Sequence, residues 1–459
     1  MSRKKSTKNQ NQWAELPTIH GHAAGLDIGA TAIVACVPAD RDAQPIRTFG
    51  VYTEDLEELA EWLVACGIET VAMESTGVYW IPVYEVLEGR KLDLFLVDAR
   101  HLKNVPGHKS DVSDSQWIQT LHSYGLLHKA FVPEADVRAL RAYWRQRTML
   151  IEHRAAHIQH MQKALQQMNL HLTEVLTDIT GVTGIQIIRA IVAGDHDPQH
   201  LAQMRDPRCQ RTEQEIIKAL TGHYRSEHLF SLRQALQLYD VYSQAIKECD
   251  AQMKEQYQSM AGLDDDSSGA PMPPLPPLPA AKRAAHCKNA PAFEAREEVY
   301  RLLGVDLVAV TGLQENLVQG ILTEIGFDVT PWPTVKHFCS WLSLAPHNDV
   351  SGGKVLRSRT RKHRNRAGQS FRLAAQSLMR SANPYGIFYR RLAARIGKPQ
   401  AIVATAHKIA RAVYAMLKYR RPFELVASQE YERRLREQEI VRLRKKAARL
   451  GLQLLPLAT

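Results

Sequence analysis

Between residues 25 and 98, short runs of β-branched and aliphatic side chains alternate with longer amphipathic stretches. The runs at 26–37, 46–52, 70–74 and 92–97 read as strands, and 55–65 and 78–87 as helices, with one more helix beginning near Asp111. Strands first, then helix and strand in alternation, predict a mixed sheet covered by helices on both faces, an α/β domain at 21–132. Past residue 133 the strand pattern stops. Trp144, Ile151, Ile158, Leu165 and Leu172 recur every seven residues, supported by Leu140, Met161 and Met168. Leu232, Leu236, Tyr239, Ile246 and Met253 repeat the three-four spacing further on. Two long helices with one apolar seam each predict an antiparallel coiled-coil arm or a dimerisation element at 133–260. A segment carrying Gly181, Gly184 and Gly194 separates them.

The pattern breaks again at 261–292. Asp264, Asp265 and Asp266 lead into PMPPLPPLP (271–279), six prolines in nine positions, which predicts a stiff, extended linker. Residues 293–426 then read as a third, mostly helical unit, and 427–459 as a basic, charge-striped helix. Residues 1–20 read as a polar, basic tail. The fold class is α/β plus α.

Composition narrows the partners. Of 459 residues, 45% are hydrophobic and 23% charged, which excludes wholesale disorder. Lys and Arg number 59 against 48 Asp and Glu, a net charge of +11, so a polyanion is the expected partner, nucleic acid before membrane. No apolar stretch nears the ~18 residues of a spanning helix. The basic start Met1-Ser2-Arg3-Lys4-Lys5 is not followed by the apolar segment of a signal peptide. The six cysteines form no C-x-x-C pair, which argues against a thiolate zinc knuckle and fits a reducing cytoplasm.

Candidate chemistry begins with acids. Asp27 sits inside a strand, where a carboxylate is costly unless paired or bound to metal. Glu74 ends another strand, and Asp111 and Asp114 share one helix face at i, i+3. If those strands are neighbours and the helix crosses their ends, four carboxylates converge. Such a set requires divalent cations, and hard oxygen ligands select Mg²⁺ or Mn²⁺. Two metals ~4 Å apart activate a nucleophile and stabilise the leaving oxygen of a phosphodiester. Taken singly, Asp111 and Asp114 are better explained as helix N-terminal acids; Asp27 is the hardest to explain that way. Asp27-Ile28-Gly29-Ala30-Thr31 also resembles the D-x-G-x-T phosphate loop of sugar-kinase and actin-like ATPases. No second glycine-rich loop follows, so the kinase reading is set aside.

Further on, Ser351 precedes Gly352 and Gly353, an arrangement that leaves a hydroxyl unshielded and lets backbone approach a phosphate. A turn residue and a nucleophile both fit that pattern. Downstream runs RSRTRKHRNR (357–366), where Arg357, Arg359, Arg361, Lys362, Arg364 and Arg366 join Lys354 and the distant Lys109 as candidate phosphate contacts. His153, His157 and His160 fall at i, i+4, i+7 without a cysteine, which suits a polar, RNA-facing helix side better than a zinc site.

Together, GLDIGAT (25–31), AMESTGVYW (72–80), VPGHKSDVSDSQWIQTLHSYGLL (105–127), GVDLVAVTGL (304–313), WLSLAPHNDVSGGKVLRSRTRKHRNRAGQ (341–369) and FYRRLAARIGKPQAIVATAHKIA (388–410) resemble one family. It is the DEDD-type insertion-sequence transposases, described as bridge-RNA-guided DNA recombinases. The likeness spans most of the chain in family order. Departures are small: His108 stands where a basic Arg is expected, and the N-terminal tail is long.

The resemblance implies a ribonuclease-H/RuvC-like domain, a coiled-coil arm and a serine-bearing transposase domain, in that order. By position it makes Asp27, Glu74, Asp111 and Asp114 the metal acids and Ser351 the catalytic serine. It implies Mg²⁺, donor and target DNA, a structured non-coding guide RNA, a homo-oligomer (dimer or tetramer), and a cytoplasmic, nucleoid-associated protein. Two other classes stay open. A RuvC-like structure-specific nuclease using water would leave Ser351 dispensable, and a non-catalytic nucleic-acid-binding regulator would tolerate loss of the acids as well.

Overall fold

The computed structural model describes residues 17–75, 77–98, 114–263, 274–278, 289–360, 365–424 and 428–453. The chain divides into two units, Met1–Val132 and Pro133–Thr459.

The first unit is built on a five-stranded sheet of order β3-β2-β1-β4-β5. Its strands are β1 (Ala23–Ile28), β2 (Ile33–Cys36), β3 (Ile46–Phe49), β4 (Thr70–Glu74) and β5 (Asp93–Val97). The run at 26–37, predicted as one strand, is two. The Gly29 amide donates to the Ala32 carbonyl at 2.9 Å and folds the chain back, so β1 pairs antiparallel with β2. On its other side β1 runs parallel to β4, and β4 parallel to β5.

Helices α1 (Thr53–Ala65) and α2 (Trp80–Gly89) bury Leu59, Leu63 and Leu87 against Leu26, Ile28, Val71 and Met73. Helix α3 (Asp114–Ser123) packs Trp117, Ile118 and Leu121 around Ala72 and Val97. Successive strand residues point to opposite faces, so Ala72 and Glu74 face α3 while Val71 and Met73 face α1 and α2. The predicted mixed sheet with helices on both faces is what forms.

The second unit is mostly helical. Helices α4 (Ala135–Gln167) and α9 (Ser226–Leu263) lie antiparallel, as the pairings Asp136 with Gln256 and Arg147 with Asp250 require. Between them, α5 (Leu172–Val175), α6 (Val182–Ala193), α7 (Pro198–Gln203) and α8 (Glu213–Leu220) close a core around Met161, Leu165, Ile187 and Leu232. The predicted heptad does not run through to Leu172. Asn169 takes a positive φ of 59°, which ends the helix, and Leu172 begins α5.

Pattern reading also missed two polar seam positions. Arg147 and Asp250, both buried, form an ion pair at 2.6 Å. The Asn289 carbonyl also accepts from Arg147 Nη2, and the Ala292 amide donates to Asp250 Oδ2. Such a pair fixes the register of two helices more than it stabilises them.

The rest of the unit is α10 (Ala295–Leu303), α11 (Glu315–Ile325), α12 (Val335–Trp341), a hairpin of β6 (Pro346–Ser351) and β7 (Lys354–Thr360), then α13 (Arg366–Ser377), α14 (Pro384–Ile396), α15 (Lys398–Tyr419) and α16 (Ser428–Arg449). Arg141 and Arg145 of α4 bind the Thr323 carbonyl and the Glu324 carboxylate, tying α11 to the long helix. Of the predicted proline linker, the described piece 274–278 is without helix or strand, and the Pro276 carbonyl accepts from Arg296.

Candidate functional site

The acids of the first unit are brought together by register. Gly25 pairs with Ala72 and Leu26 with Met73 across β1 and β4, which sets Asp27 level with Glu74, on the α3 face. Helix α3 supplies Asp114 as its first residue. How closely α3 can lie on β1 is decided by Gly25, two residues before Asp27 on the same face. A Cβ there would stand 2.3 Å from the Gln119 amide nitrogen and 2.4 Å from the Ser115 carbonyl oxygen. Both are backbone atoms and cannot rotate aside.

The far end of α3 is pinned by His122. Its ring lies between His20 and Phe95, at 4.9 and 4.5 Å, and its Nε2 meets the Thr70 hydroxyl at 2.8 Å. Burial pushes the His122 pKa down to about 4, so the anchor is neutral at ordinary pH.

The electrostatics report the convergence. Asp27 is half-buried, and burial, then the charge of Asp114, then that of Glu74, hold its carboxyl above the ordinary aspartate value. Three carboxylates with that mutual repulsion suit a hard divalent cation in the chemistry of the donor set. Among the described residues no three acids, histidines or cysteines close into a ready-made cage. Asp111, the fourth of the predicted set, lies outside the described residues, as does Lys109.

Gly25→Val should therefore lift α3 from the sheet and withdraw Asp114 from Asp27. The expected loss of stability is about 3 kcal/mol, the upper end for overpacking, read from a denaturant midpoint. Gly21→Ala, where nothing lies within 4 Å, is the control and should change little. Equal midpoints for the two variants would remove Gly25 from this role.

In the second unit, Ser351 ends β6 and pairs with Lys354 of β7. Gly352 and Gly353 form the two-residue connection, both at positive φ (53° and 74°), the conformation of a type I′ hairpin turn. A register shift between Asp349 and Val350 marks a bulge just before the tip. Ser351 is exposed, and so are Val350, Val355 and Leu356 around it. The run predicted as a basic segment is thus partly strand. Lys354 and Arg357 are exposed on β7, Arg366 is exposed at the start of α13, and Arg359 lies in β7 by its backbone. Arg361, Lys362 and Arg364 lie outside the described residues. Of the three histidines on α4, His153 and His157 stack on Tyr242 at 5.7 and 5.3 Å, which occupies that face with aromatic packing.

A mixed sheet that gathers acids round a strand aspartate, in a strongly basic chain, is the architecture of a phosphodiester-processing enzyme. Residues 24–170 match a family model described as Transposase, of the DEDD IS110 type, and residues 288–390 match the Transposase IS116/IS110/IS902 family. The chain belongs to the DEDD-type insertion-sequence transposases, enzymes that act on DNA. No curated protein matches it. Among the described residues no helix is long and apolar enough to cross a membrane.

Sequence reasoning did not single out Gly25 or the Arg147–Asp250 pair. The signal for Gly25 was present: a glycine in a strand marks close approach of another backbone. The heptad spacing also runs through positions 147 and 250, where charged residues stand in place of apolar ones.

Proposed function

We propose that this transposase cuts and rejoins DNA through a serine ester, with Ser351 attacking the scissile phosphate in place of water. Asp27, Glu74, Asp111 and Asp114 would hold Mg²⁺, or Mn²⁺, in a ribonuclease-H/RuvC-like centre. The observation that carries the reading is the position of Ser351, exposed at the tip of a Gly-Gly hairpin. Among the described residues no hydrogen bond is recorded for its hydroxyl, so the attack draws on chemistry supplied from elsewhere.

Held by Asp27, Glu74, Asp111 and Asp114, a divalent cation would supply Lewis acidity for the displacement at phosphorus. The Ser351 Oγ gives up its proton and bonds to phosphorus. The bond from phosphorus to one sugar oxygen breaks, and that oxygen takes up a proton. The phosphate is then stored as a protein ester, so a hydroxyl of another strand can displace Ser351 without ATP. A homo-oligomer, dimer or tetramer, lets Ser351 of one copy serve the acids of another, and the long helix pair is read as its coiled-coil arm.

Sequence choice is assigned to a structured non-coding guide RNA pairing with both donor and target DNA, held by shape and backbone. The net charge of +11 and the exposed Lys354, Arg357 and Arg366 support a nucleic-acid surface. The protein is assigned to the cytoplasm, on the nucleoid.

A denaturing gel of the cleavage products tests the reading. A DNA-linked protein band supports the ester; free ends alone would make the enzyme a water-using nuclease. The basic hairpin has its own test. Lys354→Gln with Arg357→Gln should weaken binding to all DNA sequences and flatten the salt slope by ~0.7–0.9 per lost contact. An unchanged slope would leave both side chains simply solvated.

A further inference from the structure

At the base of the β6–β7 hairpin, where it meets α14 and α15, lies a cavity of about 750 Å³. Phe388 and Val403 give it apolar walls, Ser358 of β7 adds a hydroxyl, and Lys408 and Arg411 of α15 bring positive charge, with His407 beside them. Among the described residues no Asp or Glu lines it. Elsewhere in its unit several buried or half-buried arginines are matched by carboxylates. Arg147 meets Asp250 at 2.6 Å, Arg296 meets Asp306 at 2.6 Å, and Arg141 meets Glu324 at 3.7 Å.

Among the described residues no carboxylate pairs with Lys408 or Arg411. The Lys408 ammonium instead sits 4.0 Å from the centre of the Phe388 ring and 5.5 Å from that of Tyr431. Burial and then the charge of Arg411 hold Lys408 and His407 below their ordinary values. An un-neutralised cationic floor calls for an anion. The aromatic and aliphatic wall beside it calls for an apolar face on the same ligand. An apolar peptide would leave the cations unpaired, and inorganic phosphate would leave the wall wet. One nucleotide satisfies both, base to Phe388 and Val403, phosphate to Lys408 and Arg411.

We propose that this cavity receives an unstacked nucleotide of the single DNA strand that runs along the hairpin toward Ser351. The identity of the strand rests on the serine reading; the binding does not. From Pro346 beside the cavity to Ser351 at the tip, β6 advances five residues, about 17 Å at the antiparallel rise. That is about five nucleotides at the ~3.4 Å duplex spacing and fewer in a stretched strand. The cavity thus fixes a flanking nucleotide while the tip presents the hydroxyl to a phosphate further along.

The test titrates a labelled twelve-nucleotide oligo(dT), its oligo(rU) counterpart and a duplex of equal length against the full chain. The proteins are wild type, Ala404→Trp, which fills the cavity, Lys408→Gln and Ser351→Ala, each checked for native melting. Ala404→Trp and Lys408→Gln should each weaken oligo(dT) binding about tenfold, within the range of one stacked base, with less than a twofold effect on duplex. Lys408→Gln stands as the readout if Ala404→Trp does not fold. Ser351→Ala should bind oligo(dT) like wild type, so a failed serine reading leaves this result standing. Unchanged oligo(dT) affinity in the folded variants overturns the proposal. So does an equal loss for duplex, which would mean surface charge alone, or an equal loss for oligo(rU), which would mean an RNA occupant.

Discussion

Asp27→Asn should remove strand cleavage, by about 10²–10³-fold or more, the scale of losing one preorganised charge in a reacting site, and leave the metal-free fold more stable. The two effects share one cause. Burial, Asp114 and Glu74 make the ionised Asp27 unfavourable in the native state. Its folded pKa therefore lies above its unfolded one, and the native chain binds this proton more readily. The sign follows: the penalty is fully present above the raised value and is relieved as pH falls through it. Asparagine removes the penalty at every pH, so the variant's melting temperature in chelator should exceed the wild type's at neutral pH. Mg²⁺ should raise the wild-type melting temperature through binding to the native state alone, and raise that of Asp27→Asn much less. Thermal melts with and without Mg²⁺, beside a cleavage assay, check all three. A variant that cuts at the wild-type rate, or that melts lower in chelator, would detach Asp27 from a metal site. Nucleic-acid binding should survive, since the basic hairpin lies in the other unit.

Ser351→Ala should give the opposite profile. A solvent-exposed hairpin-tip serine with no partner among the described residues contributes little to stability, so melting, assembly and nucleic-acid binding should match the wild type within about 0.5 kcal/mol. The covalent protein–DNA band should nevertheless vanish. Mixing Ser351→Ala with Asp27→Asn chains asks whether hydroxyl and acids come from different copies. A shared site restores part of the activity that neither variant has alone. A mixture that assembles and stays inactive returns hydroxyl and acids to one chain, or the attack to water.

The first unit was legible because its signals are local. Period-two runs gave the strands, and a carboxylate in the 26–37 run marked Asp27 as costly. What stayed hidden depends on contacts far apart in the chain. Nothing local says that Asp27 stands level with Glu74, because register is set by pairing across 47 residues of sequence. The same run held a turn that apolar content disguised, since Ala30 and Ala32 suit a strand as well as a bend. In the second unit, seven-residue spacing found the two long helices. It passed over Arg147 and Asp250, because a buried charge is tolerable only with a partner that pattern reading cannot see. The Ser-Gly-Gly turn was legible, yet the strands on either side were not, because the polar and basic residues of β6 and β7 obscure the alternation of a two-stranded hairpin. The cationic cavity was invisible for the same reason: its parts come from the hairpin, α14 and α15.

The most direct measurement of the central claim is the mass spectrum of the tryptic peptide 337–354 from a cleavage reaction quenched and stripped of DNA by nuclease. That peptide holds Ser340, Ser343 and Ser351, so fragmentation assigns the site. A nucleotide remnant is expected on Ser351, dependent on Mg²⁺ and missing from Asp27→Asn. A remnant on another residue, or complete cleavage with the peptide unmodified at every time point, would contradict it.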